Sequence, residues 1–171
     1  MRTTTQLVLS GLLLSAVVAG CAGGTPDPAD FGYRRDAGGA LVIVYPPRCP
    51  EPDRPAPGDV FGASVLAEGD NGEEILWSAR QPRSQAVRQG EFVVGGDTSF
   101  AGEEQPLKGE LPEGFHVSVV EAGPGGTEVT GADGYVDLSR LDGATLGPDE
   151  YMTRTGKTLT RAEITSQKTC G

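Results

Sequence analysis

The chain has 171 residues, with 24 acidic against 14 basic side chains and a formal net charge of −10 at pH 7. Such a length carries one modest domain with a real hydrophobic core and leaves no room for two. A charge of that sign excludes nucleic acid as a partner and offers no direct attraction to anionic lipid head groups.

The amino terminus opens with one basic residue, Arg2, followed by an apolar run of 13 residues from Leu7 to Ala19 that is broken only by Ser10, Gly11 and Ser15. Crossing a bilayer takes about 20 apolar residues, so this run suits the core of a cleaved export signal better than a retained helix. It ends in Val18-Ala19-Gly20-Cys21, an aliphatic residue and two small ones before a cysteine. These four residues resemble the lipobox of bacterial lipoproteins. The resemblance covers residues 1–21 and reaches no further. It implies that residues 1–20 are a signal peptide, that the Cys21 thiol carries a diacylglycerol, and that the chain is cut between Gly20 and Cys21. Two acyl chains suffice for stable anchoring. The expected location is therefore the outer, extracytoplasmic face of the cell membrane, with the membrane as a partner through the lipid on Cys21. Only 3 of the 14 basic residues are Lys, and the chain is rich in Gly, Ala, Pro and Arg. That bias points to a high-GC genome, with an actinobacterial source as the expectation.

Residues 21–40 read as a flexible tether, since residues 22–40 hold seven Gly or Pro and no apolar periodicity. About 20 such residues have a root-mean-square reach near 25 Å. A single β-rich domain is expected over residues 41–171. With Cys21 acylated, Cys49 and Cys170 remain, an even number in an oxidising compartment, and are expected to form a disulfide. A bridge closing a loop of roughly 120 residues contributes at most on the order of 4–5 kcal/mol by the chain-entropy argument.

Within the domain, Ala40 to Tyr45 is β-branched and apolar on both faces, a strand. Pro46 to Pro57 holds six prolines and Cys49, which bars a central strand. Val60–Leu66 and Glu74–Trp77 flank Gly69-Asp70-Asn71-Gly72, and Asn-Gly is the favoured pair for a tight hairpin. Ala86 to Val94 reads as a further strand, and Gly95 to Gly114 as a long irregular loop. A meander follows: Phe115 to Val120 alternates, Gly123–Gly126 turns the chain into Thr127–Thr130, and Gly131–Gly134 turns it into Tyr135–Leu138. Arg161 to Cys170 alternates as a last strand, although Thr160 and Glu163 have the spacing of a capping box that would open a short helix instead. Residues 151–171 carry four basic side chains and one acidic, so this final segment is expected to pair with acidic neighbours. About seven short strands argue for an all-β antiparallel sandwich, immunoglobulin-like in arrangement, with a small barrel as second choice.

No motif for chemistry emerges. His116 lies opposite the Phe115 face, toward solvent, with Ser118 beside it, but no G-x-S-x-G elbow is present. The doublets Glu73-Glu74, Glu103-Glu104 and Asp149-Glu150 point apart on a strand and form no acid/base pair. Glu68 to Glu73 and Asp97 to Glu104 cluster oxygen ligands without matching a calcium loop. No cofactor is implied and no metal. Trp77 reads as core. The expected function is a non-enzymatic binding or envelope-support module, taking an envelope protein or a small ligand. The alternative is an enzyme or a calcium-dependent accessory protein. A binding module would present an apolar patch or a bare sheet face; an enzyme would present a pocket where titratable groups converge.

Overall fold

Strands form wherever β-branched and aromatic side chains alternate with polar ones, and the computed structural model describes residues 30–46, 59–70, 72–122 and 127–167. In chain order the elements are β1 (Gly32–Arg35), β2 (Leu41–Val44), β3 (Val60–Gly69), β4 (Gly72–Pro82), α1 (Gln85–Arg88), β5 (Glu91–Val93) and β6 (Phe100–Gln105). Then follow β7 (Gly114–Ala122), β8 (Glu128–Asp137), α2 (Leu138–Asp142), β9 (Glu150–Thr153), β10 (Thr158–Thr160) and α3 (Arg161–Ser166). They build two five-stranded antiparallel sheets, in the orders β10-β9-β1-β2-β5 and β6-β4-β3-β7-β8. The chain is an all-β sandwich, and neither sheet closes into a barrel.

Register fixes what lies between the sheets, because partners across a ladder share a face. In the first sheet Met152, Tyr33, Ile43 and Phe92 align across β9, β1, β2 and β5. In the second, Trp77, Val65 and Val117 align across β4, β3 and β7. All seven are buried. Phe100 ties the layers together, its ring centroid 5.9 Å from Trp77 and 5.7 Å from Phe92, both at steep edge-on angles. Phe31 packs so closely on Gly134 of β8 that a Cβ there would sit 1.9 Å from its ring. The buried Trp77 agrees with its core reading, and its indole Nε1 donates to Glu103 Oε1 at 2.9 Å.

Several expectations need correction. The immunoglobulin-like arrangement, seven strands split between sheets of four and three, does not hold. Here consecutive strands pair as hairpins within one sheet (β1 with β2, β3 with β4, β7 with β8, β9 with β10), giving five strands to each. The folded domain begins by Asp30 and not at residue 41: Phe31 and Tyr33 are core residues, and their spacing of two was hidden among glycines and arginines. The rest of the expected tether, residues 21–29, lies outside the described residues. Arg161–Ser166 is helical. The Thr160 hydroxyl accepts from Glu163 N at 3.2 Å, and the Glu163 carboxylate accepts from Thr160 N at 2.7 Å, completing the capping box. Gly131–Gly134 does not turn the chain; β8 runs through it, absorbing extra residues as a shift of register opposite Ser118 and Val120. Residues 86–94 divide into α1, capped by Ser84, and β5, while β6 crosses the region read as a long loop. β3 and β4 pair as the expected hairpin, Gly69 opposite Gly72, where φ is +112°, while Asn71 of the expected turn lies outside the described residues.

Candidate functional site: the open face of the second sheet

The outer faces of the two sheets are treated differently. On the first, Val42, Val44 and Tyr151 form a small second core with Ile164 of α3, whose side chain is fully buried. Gly32 leaves the space that Ile164 fills: a Cβ there would lie 2.3 Å from Ile164 Cδ1 and 2.7 Å from Tyr151 Cβ. The Arg34 guanidinium stacks 4.9 Å from the Tyr151 ring centroid, and burial pushes the Tyr151 hydroxyl up from its ordinary pKa. Arg161 pairs with Glu91 at 2.7 Å and Arg154 with Asp30 at 3.2 Å, so the basic final segment meets acidic neighbours as expected.

On the second sheet no described element covers the outer face. Register arranges it in rows that run across the strands. The first row is largely apolar: Ile75, Leu66 and Tyr135 on β4, β3 and β8, with His116 of β7 among them. Ile75 and Tyr135 are 43% and 44% exposed, the large hydrophobic side chains that the described fold leaves open. The Tyr135 ring lies over Gly114, where a Cβ would come within 2.1 Å of its hydroxyl and 3.0 Å of Cζ. His116 meets that ring edge-on, with centroids 5.3 Å apart at 64°. The second row is polar and small: Gln105, Ser78, Ser64, Ser118 and Asp133, one from each of the five strands. Beyond it Arg80 lies across Gly62, paired with Glu104 at 3.0 Å and with Glu128 of β8. The bond to Glu128 raises the Arg80 pKa further above its ordinary value.

His116, Ser118 and a carboxylate, Asp133, therefore share this face, but among the described residues no side-chain hydrogen bond joins them and they stand on an open sheet. In one carboxylate doublet the side chains part, Glu103 reaching Trp77 and Glu104 reaching Arg80, and Glu150 accepts from Gly147 N at 2.7 Å. At the β3–β4 tip an open cleft of about 660 Å³ touches Asp70, Glu73 and Glu74. Among the described residues no group of three or more His, Cys, Asp or Glu side chains is placed to hold a metal ion. A second cleft, about 540 Å³, opens at the end of the sandwich between Leu41, Leu107, Leu111 and Leu138, beside the Arg35–Asp142 pair. Cys21, Cys49 and Cys170 all lie outside the described residues.

Sequence reasoning placed His116 and Ser118 outward and missed the rest of the face. Alternation along β7 was the available signal; the register that brings Tyr135, Leu66 and Ile75 beside His116 depends on bulges that no spacing reveals. No protein family, no curated protein and no solved structure matches the chain.

Proposed function

We propose that the chain is a membrane-anchored extracytoplasmic lipoprotein whose sandwich is a non-enzymatic binding module of the cell envelope, presenting the outer face of its second sheet. The observation that carries this reading is the inequality of the two outer faces. α3 covers one, whereas the other holds an apolar row with two large side chains more than two-fifths exposed. Isolated exposed apolar residues are ordinary, but a contiguous row across four strands marks an interaction surface. The residues Val18-Ala19-Gly20-Cys21 support the address, and the charge of −10 supports a domain that stays off the anionic membrane surface. Cys49 and Cys170 close the domain as a disulfide in this reading.

Three measurements test it. Fatty-acid labelling of the cells should mark the wild type and not Cys21→Ser; labelling that survives the change overturns the anchor. Thiol titration of the denatured, unreduced protein should find Cys49 and Cys170 blocked. A photo-crosslinking side chain at position 118 should capture a partner in cells, and one on the covered face should not.

A further inference from the structure

The polar row is a trench. Its floor is serine and its flanks are larger: Leu66, His116 and Tyr135 on one side, Arg80 on the other. Four inter-strand steps make it about 19 Å long. Among the described residues the side chains of Ser78, Ser64, Ser118 and Asp133 make no hydrogen bond, so each hydroxyl can still donate and accept. Charge decides against an ionic occupant. The cation beside the trench, Arg80, is held by two carboxylates, and the trench itself carries a single charge, Asp133. A polyanion would meet a net negative face, and a polycation would find one carboxylate over the whole length. An extended peptide binds a sheet by adding to an edge. Laid across inner strands, whose backbone groups are already paired in the ladders, its amides would find partners only at side-chain positions set by strand spacing.

We propose that the trench binds a neutral polysaccharide laid across the strands, with its hydroxyls on the serine row and one sugar ring stacked on Tyr135. The ring is already positioned: 44% exposed, its hydroxyl end lies against Gly114 and His116 meets it at a steep angle. An aromatic face suits the C–H face of a sugar, while the sugar's equatorial hydroxyls reach sideways to Ser118 and Asp133. This inference rests on reading the open face as a binding surface and names its ligand class.

The test is affinity electrophoresis of the full-length protein in detergent, through gels carrying a soluble neutral glucan, mannan or galactan, with polygalacturonate as the anionic counterpart. At least one neutral polymer should retard the protein. Tyr135→Ala should weaken that retardation roughly tenfold, Tyr135→Phe should keep it, and polygalacturonate should have no effect. An unchanged melting temperature shows that each variant is folded. If no neutral polymer retards the protein, if polygalacturonate retards it equally, or if Tyr135→Ala binds like wild type, the proposal is overturned. Should a crosslinker at position 118 then capture a protein, the binding-module reading survives without its glycan. If it captures nothing, both fall.

Discussion

The two outer faces of the sandwich show how differently one chain can finish a sheet. The first sheet places Val42 and Val44 outward, and the chain answers with a six-residue helix that buries Ile164 on them. The second sheet places Ser64, Ser78 and Ser118 outward along its middle, residues that cost little to leave in water, and sets Leu66, His116 and Tyr135 beside them. The covered face is therefore structural, and its side chains are worth their burial. The open face should contribute little to stability, and its apolar row stays exposed, Ile75 and Tyr135 at 43% and 44%.

That contrast can be broken most severely at Ile164. Ile164→Ala removes the one buried side chain of α3 and should cost about 2–5 kcal/mol, read as a lowered midpoint of denaturant unfolding. Gly134→Ala tests the interior between the sheets: the new methyl has no room against Phe31 and should cost about 1–3 kcal/mol by overpacking, whereas Gly39→Ala in an open turn meets no neighbour and suffers only from its positive φ. Thr160→Ala removes half of the capping box and should cost about 1 kcal/mol. Tyr135→Ala or Ile75→Ser should change stability by no more than about 0.5 kcal/mol. A large loss there would mean the open face is a structural one after all.

Acid should wear at two helix starts and at the Arg35–Asp142 pair. The Glu163 carboxyl is lowered by the Thr160 backbone N–H, Asp137 by the Ser139 hydroxyl and then Arg140 N, and Asp142 by Arg35. Each is more acidic folded than unfolded. Their contribution is complete above the ordinary carboxylate pKa of about 4 and is lost as pH falls through the lower folded values. Melting temperature should decline on that acid side, and Asp142→Asn should shallow the decline.

Strand alternation made the sandwich legible, because a half-buried strand announces itself with a period of two. Val60–Leu66 and Phe115–Val120 were readable for that reason. Short strands were not: β1 offers only Tyr33 inward, with a glycine before it and Arg34 and Arg35 after it, and β10 is three residues long. The last segment was ambiguous in earnest, since Ala162, Ile164 and Ser166 fit a strand while Thr160 and Glu163 fit a cap; the two hydrogen bonds of the capping box and the seat over Gly32 decide for helix. The open face was half legible. His116 and Ser118 follow from β7 alone, but Tyr135 joins them only because β8 continues through Gly131–Gly134 with a shifted register.

Tyrosine nitration of the folded full-length protein tests the contrast of faces most directly, because each kind of surface has its own ring. Tyr135 on the open face is 44% exposed, whereas Tyr151 on the covered face is 1% exposed, and Tyr33 and Tyr45 are 0% and 7%. The account predicts nitration at Tyr135 alone, suppressed when the protein sits in the intact cell envelope with its partner. Nitration of Tyr151 at a rate comparable to Tyr135, or a Tyr135 equally reactive in the envelope and in detergent, would contradict it.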